Sequence, residues 1–353
     1  MSDSPSGGHY EKLEARVLRL MEQNSVTEQE FNECALAIFA FQSRFNQPYA
    51  NFVRHLRIET PHDWRAIPAV PLGAFRNFDL RAFAQSETVA TFHTSGTTGE
   101  GFGRHHFRSL RLYESSILRC WDRMRLPALP QFVLTPPPAR APHSSLSHMM
   151  GVLKARARNG RQHFCIDEDG RLDTTALERQ VGNRQPLLLL ATALAYLHFF
   201  DELQRRHTRL QLPAGSAAFE TGGYKGSARA LEKRELYALF DELLGLPPDD
   251  IINEYSMTEL SSQFYSRGLD SIHRGPPWTR AIVIETETQR TAREGRTGSM
   301  RIFDLANIGS VLAIQTQDLA IQRADGFELI GRDPKASARG CSRAADEFLS
   351  HPA

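Results

Sequence analysis

The chain has 353 residues, 41% hydrophobic and 24% charged, a balance that excludes a disordered or fibrous protein and suits one large domain or two ordinary ones. The 42 Lys and Arg against 41 Asp and Glu leave a formal charge of +1. No global field draws nucleic acid or an anionic membrane, so any anion must be held by a local site.

Cys34, Cys120, Cys165 and Cys341 are far apart, without a CxxC pair, which argues against a zinc site or a disulfide scaffold and for a reducing compartment. The polar start MSDSPSGGHYEKLE has no apolar signal core, and the longest near-apolar run, Leu187 to Phe200, is broken by Thr192 and His198. It is too short to span a bilayer. The expectation is a cytoplasmic protein with no membrane span and no nucleic-acid partner.

In chain order, Phe31, Ala35, Ile38, Phe39 and Phe45 share one helical face broken only by Gln42, and Tyr49, Phe52 and Leu56 continue the spacing. This predicts amphipathic helices packed on something larger. Ile67 to Phe78, with Pro68 and Pro71, reads as extended and leads into the main domain. From about Val89, β-like runs at Gln131 to Leu134, Pro186 to Leu190, Ser216 to Glu220 and Ile251 to Glu254 alternate with helical stretches. That alternation predicts an α/β domain holding ligands in loops after strand ends. Arg280 to Glu285, Gly298 to Phe303, Val311 to Thr316 and Phe327 to Ile330 lie close together and predict a largely β subdomain.

Five segments can carry chemistry. Thr94-Ser95-Gly96-Thr97-Thr98-Gly99 combines four hydroxyls with two glycines, so its amides and hydroxyls suit phosphate oxygens as well as they suit an ordinary flexible turn. It is not a Walker A loop, because Phe102 stands where that pattern needs Lys. In Ile252 to Leu260, Tyr255 can stack on a base, Thr258 can donate to a phosphate and Glu259 can hold Mg²⁺. In isolation the same residues read as a helix start, with Ser256 as N-cap and Glu259 as its capping-box partner. In Phe219 to Lys225, Gly222 and Gly223 sit where backbone meets a ligand and Lys225 is either a phosphate partner or a solvated turn lysine. Asp318 is either an acceptor for two ribose hydroxyls or a turn aspartate. In Leu329 to Ser342, Arg332, Lys335 and Arg339 accompany Cys341, whose thiolate Arg339 would favour, unless the stretch is simply a charged loop.

In this order, TSGTTG at 94–99, ETGG at 220–223, NEYSMTELSSQFY at 253–265, the aspartate of QTQD at 318, IGR at 330–332 and RGCS at 339–342 resemble the adenylate-forming ligase superfamily. Within it, ELSSQFY and ARGCS are most similar to the acyl-protein synthetase (LuxE-type) branch. The resemblance covers roughly residues 30 to 345. It implies an α/β fold of the adenylate-forming-ligase large-domain type, with N-terminal helices, a β-rich C-terminal subdomain and a truncated C-terminal domain. The regions would be 1–85, helical and packed on the core; 86–276, the α/β nucleotide-binding core; 277–332, β-rich; and 333–353, a short tail with the acyl-accepting cysteine.

The resemblance also implies roles. Thr94, Ser95, Gly96, Thr97, Thr98 and Gly99 would wrap the ATP phosphates, and Gly222 and Gly223 would approach the adenine or the acyl adenylate. Tyr255 would stack on adenine, Thr258 would contact phosphate, Glu259 would hold Mg²⁺, and Asp318 with Arg332 would bind ribose. Cys341 would accept the acyl group before an acyl reductase takes it. The other cysteines match no motif. The family's Pro-Lys after TSGTTG is replaced by Glu100-Gly101-Phe102-Gly103-Arg104, leaving Arg104 or Lys225 to take the lysine's place.

The implied activity is ATP-dependent activation of a carboxylic acid, a fatty acid by branch, followed by transfer to a thiol. Competing readings are transfer to coenzyme A or an acyl-carrier protein, as in phenylacetate-CoA ligases, and a non-catalytic nucleotide or acid binder. His105, His106 and His148 lie near the loops, but an ionised acid needs no base.

Overall fold

In the computed structural model, which describes residues 7–57, 60–94, 102–222 and 231–333, the apolar run from Leu187 divides at Thr192 into a strand and a helix. Strand Leu188–Thr192 is buried up to its last residue, and Thr192 then caps helix Ala193–Arg205, its hydroxyl accepting the Ala195 N–H at 3.0 Å. A helix start leaves amides without partners, so a hydroxyl belongs at this break in an apolar run.

That strand lies in a six-stranded sheet whose spatial order is Gln162–Phe164, Gln131–Val133, Leu188–Thr192, Ala217–Thr221, Ile251–Tyr255 and Phe264–Arg267. All neighbours are parallel except the last pair. Parallel strands covered on both faces read as continuous apolar runs rather than alternating ones, as Leu187 to Ala191 does. Tyr196 and Phe200 of helix Ala193–Arg205 meet Phe240 of helix Lys233–Leu244, with ring centroids 4.5 and 5.0 Å apart. These elements form one compact unit, Trp121–Ser256 with Phe264–His273.

The other unit takes the chain up to Cys120, Met257–Gln263 and the chain from Arg274. Its long strand Ala313–Arg323 pairs antiparallel with Gly326–Arg332 on one side and Thr297–Asp304 on the other, and Thr279–Ile284 follows Thr297–Asp304. Val70–Pro71, in the stretch expected to be extended, joins the long strand in parallel. Helix Glu28–Phe45 starts in a capping box between Thr27 and Glu30 and turns Phe31 toward Trp64, which in turn meets Phe303 at 4.8 Å. Arg280 lies over the Phe31 ring and bonds Glu28 at 2.8 Å.

The sequence division at 85 and 276 and this spatial partition do not coincide. Residues 86–120 fold with the N-terminal helices because the hairpin of Ala90–His93 and Arg104–Phe107 packs Phe92 and Phe107 on Tyr113, and His105 on Phe75. No helix among the described residues is long and apolar enough to cross a membrane.

Gln42, the polar break in the helical face, is wholly buried. Its Nε2 donates to the carbonyls of Asn307 and Ile308 at 2.7 and 3.1 Å, and its Oε1 accepts the Leu312 N–H at 2.9 Å. It thereby satisfies the backbone of the buried connection between strands Thr297–Asp304 and Ala313–Arg323. Gln42→Leu keeps the volume but strands these groups, so chemical denaturation should show a loss of about 3 kcal/mol. An unchanged midpoint would mean the connection finds other donors.

Candidate functional site

The hairpin joins Thr94, the first residue of the Ser/Thr/Gly segment, to Gly103. The Thr94 N–H donates to the Gly103 carbonyl at 2.9 Å, and the Gly103 N–H returns a bond to Thr94 Oγ1 at 3.0 Å. A Cβ at position 103 would stand 2.6 Å from that oxygen, so only glycine lets the two chains close here. Thr94 is buried and clasps the base of the hairpin. Ser95, Gly96, Thr97, Thr98 and Gly99 lie outside the described residues, as do Gly223, Lys225 and Cys341.

Residues 256–262 form turns, not the helix that Ser256 and Glu259 suggest in isolation. The groups a helix would use internally are taken by side chains from elsewhere. The Glu259 carbonyl accepts from Asn307 Nδ2 at 2.8 Å, the Ser261 N–H donates to Asp304 at 2.9 Å, and the Thr258 carbonyl lies 2.8 Å from His105 Nδ1. A carbonyl can only accept, so His105 carries its proton on Nδ1, and Nε2, 3.0 Å from Ser310 Oγ, accepts from that hydroxyl. Burial pushes the His105 pKa down to about 4, with the Thr258 bond opposing, so the imidazole is neutral at pH 7. The Thr258 hydroxyl donates to the His93 carbonyl at 3.4 Å. Thr258 is therefore fixed to the hairpin that bears Thr94, and the adjacent Glu259 is held through its carbonyl by Asn307.

Asp318 is not in a turn. It lies within strand Ala313–Arg323, which runs on past the expected end, and its Cα partner across the ladder is Arg332. The register shifts one residue later, between Leu319 and Ala320. The two residues assigned to ribose are thus neighbours, Asp318 half-buried and Arg332 exposed.

Gly222 and Tyr255 belong to the α/β unit, where they follow or end adjacent parallel strands, Thr221 pairing with Glu254. Gly222 has φ +68° with open space where a Cβ would stand. Tyr255 is edge-on to Phe264 and His273 at 6.3 and 6.0 Å. Beneath them is a pair of buried carboxylates, Glu220 and Glu254, that lie within the quoted motifs but were given no role. Glu220 accepts from Asn253 Nδ2, whose Oδ1 in turn accepts from His273 Nε2 at 2.6 Å. Glu254 accepts from the Thr221 hydroxyl. Burial raises both carboxyls to about 7, with the Asn253 bond opposing at Glu220 and bonds from Ser256 and Thr221 opposing at Glu254. A carboxylate inside an otherwise apolar parallel strand, as in AAFET and IINEY, was the available signal.

Cys34, Cys120 and Cys165 are buried. Burial pushes the thiols of Cys34 and Cys165 up to about 11 and about 12, so neither is a nucleophile at neutral pH. Among the described residues no three His, Cys, Asp or Glu side chains gather into a metal site. Mg²⁺ bound with a nucleotide needs only one or two protein carboxylates and completes its shell from phosphates and water.

No protein-family model matches the sequence, and no curated protein is similar to it. Solved structures do match. A 2-hydroxyisobutyryl-CoA ligase in the postadenylation state, in complex with 2-HIB-AMP, superposes on 88% of this chain and 69% of its own, with a TM-score of 0.63 at 13% identity. McyG A-PCP complexed with phenylalanyl-adenylate gives a TM-score of 0.53 at 14% identity, covering 70% of this chain and 41% of its own. ATP-bound MatB from Rhodopseudomonas palustris gives 0.51 at 16% identity over 71% of this chain, which spans 49% of MatB. The fold is that of the adenylate-forming ligases. It is the large-domain fold that the sequence resemblance implied.

The carboxylate pair makes the α/β unit sensitive to pH. Glu220 and Glu254 bind protons more tightly folded, near 7, than unfolded, near 4.5. Their contribution is therefore full below about pH 4.5 and lost as pH rises through 7. Glu254→Gln, which keeps an acceptor for Thr221, should roughly halve the fall in thermal midpoint between pH 5 and 8 if the pair titrates together. An unaltered pH profile would refute the assignment.

Proposed function

We propose that the chain activates a carboxylic acid with MgATP as an acyl adenylate and then transfers the acyl group to a thiol, its own Cys341, for delivery to a partner. The observation that carries this reading is the cross-strand pairing of Asp318 with Arg332. The same unit ties the turn of Thr258 and Glu259 to the hairpin of Thr94. A fatty acid is the substrate class that the sequence resemblance favours, and an acyl reductase is the partner class.

In the first half-reaction a carboxylate oxygen attacks the α-phosphorus. The new O–P bond forms as the bond to the bridging oxygen of the β-phosphate breaks, giving acyl adenylate and pyrophosphate. Asp318 accepts the ribose hydroxyls beside Arg332, Tyr255 stacks on adenine, and Gly222 and Gly223 let backbone approach the nucleotide. Residues 94–99 surround the phosphates and Thr258 donates to them. Glu259 would hold Mg²⁺, which when bound would neutralise phosphate charge. Lys225 or Arg104 takes the place of the lysine missing after Gly99.

In the second half-reaction the Cys341 thiolate adds to the acyl carbonyl carbon and AMP leaves with the carboxyl-derived oxygen, producing a thioester. Transfer to coenzyme A or a carrier protein is the nearest alternative. It draws support from similar folds solved with CoA, as in a 2-hydroxyisobutyryl-CoA ligase, or joined to PCP, as in McyG.

Intact-protein mass spectrometry after incubation with MgATP and a pool of fatty and aryl acids tests this directly. An acyl adduct mapped to Cys341, removed by hydroxylamine and absent from Cys341→Ala, is expected. Pyrophosphate release from unmodified protein would move the acceptor to coenzyme A or a carrier, and no pyrophosphate would mean that the pool lacks the substrate or that the chain is a binder. Asp318→Asn should raise the KM for ATP by about tenfold, the loss of one charged hydrogen-bond acceptor, with its thermal midpoint unchanged.

A further inference from the structure

With 42 basic and 41 acidic side chains in the whole chain, a concentration of one sign has to be made by folding, and three segments of the α/β unit make one. Residues 121–130, 153–163 and 179–187 hold eight Lys or Arg and a single acidic residue, Asp122. They meet where the parallel strands begin. The Arg158 N–H donates to the Leu129 carbonyl at 3.0 Å, the Gln131 N–H to the Arg161 carbonyl at 2.9 Å and the Leu188 N–H to the Pro130 carbonyl at 2.9 Å. The Arg161 side chain also reaches Gln180 at 3.3 Å, and Gln180 reaches Gln185.

Arg125, Lys154, Arg158, Arg161, Arg179 and Arg184 are all exposed, and none of them pairs with a carboxylate among the described residues. The acids next to them in sequence are taken by other groups. Arg156 holds both oxygens of Asp122, at 2.6 and 2.7 Å, and Arg206 and Thr174 hold Glu178 at 2.8 and 2.7 Å. Gly222 follows and Tyr255 ends a strand of five residues, so about 16 Å of strand separates the residues assigned to the nucleotide in this unit from the end where the cations gather.

We propose that this face binds the surface of an anionic bilayer, its basic side chains meeting lipid phosphates. None of the large apolar side chains exposed among the described residues lies in these segments. The face therefore lacks the aromatic and aliphatic anchors around which a protein partner packs, and the rings on which single-stranded nucleic acid stacks. What it offers is charge, and five of the six free cations are arginines, whose fork matches two phosphate oxygens at once. An anionic headgroup layer answers to such a spread of basic groups without needing a pocket. The choice of a bilayer over a nucleic-acid duplex rests on the reading above that the substrate is a fatty acid, which partitions into membranes.

The test sediments the full chain with vesicles of phosphatidylcholine alone and of phosphatidylcholine with phosphatidylglycerol, in the absence of ATP and acid. Binding to the anionic vesicles only, weakening as salt is raised, is expected. Each basic group near such a surface contributes about fivefold in affinity, so Arg125→Glu, Arg158→Glu and Arg179→Glu together should lower it by about a hundredfold or more. The neutral set Arg125→Gln, Arg158→Gln and Arg179→Gln should lower it by a smaller factor. A matched set in the other unit, Arg19→Glu, Arg290→Glu and Arg293→Glu, should leave most of it. No binding to anionic vesicles, equal binding to neutral ones, or binding that survives the first set or falls equally with the matched set overturns the proposal. So does displacement from the vesicles by a duplex oligonucleotide at equal phosphate concentration, which would assign the face to nucleic acid. Vesicle binding without an adduct on Cys341 keeps this inference and removes the acyl-transfer reading, and an adduct without vesicle binding does the reverse.

Discussion

The unit that holds most of the candidate site depends on burying a piece of irregular chain. Residues 305–312 connect two strands of the antiparallel sheet, yet nearly all of them are inaccessible to solvent. Such a segment exposes amides and carbonyls with no ladder to receive them, and in a dry interior each costs more than the fold can spare. Here side chains and neighbouring backbone from distant parts of the sequence do what a sheet would do. Gln42 takes three of the backbone groups, Asn46 bonds the carbonyls of Ser310 and Leu80, and the Ala82 N–H reaches the Gly309 carbonyl. Gly309 sits close to its neighbours: a Cβ there would lie 3.0 Å from the Phe83 ring, which would have to give by a few tenths of an ångström.

The candidate site inherits its order from this connection. Asn307 reaches from it to the Glu259 carbonyl, and Asp304, at its start, accepts from the Ser261 amide, the Ser262 hydroxyl and the Ala306 amide. Burial raises the Asp304 carboxyl to about 6, against these bonds. Ser310 holds His105 from one side while His105 holds Thr258 from the other. The turn is thus anchored through polar side chains rather than through a helix of its own, which leaves Thr258 and Glu259 at set positions without a helical backbone around them. Strand Ala313–Arg323, where Asp318 sits, begins directly after the same connection.

Much of this was legible in the residues, and the exceptions share a cause. Periodicity located helix Glu28–Phe45 and the runs at 131, 188, 217 and 251, because burial on one face or on both leaves a local pattern. The motifs located Asp318 and Arg332, but their pairing depends on register, which no local pattern records. The Ser256 and Glu259 reading failed because a capping box is a local offer, and here Asp304, Asn307 and His105, all far off in sequence, outbid it. His105 was set aside as a base on chemical grounds. Its structural part depends on where residues 258 and 310 come to lie. The linear division at residue 85 missed that the hairpin's aromatic side chains belong with those of the N-terminal part.

Gln42 and its partners also bear on the order in which the molecule can be made. The donor lies 265 residues before the first carbonyl it satisfies, so during synthesis helix Glu28–Phe45 emerges long before its polar side chain has anything to bind. At roughly 5–20 residues per second that interval is tens of seconds. The parallel strands between residues 131 and 255 come from one continuous stretch and can pair as soon as that stretch has left the ribosome. Helix Glu28–Phe45, made before those strands, must then settle after residues 305–312 are made, with an apolar face exposed in the meantime.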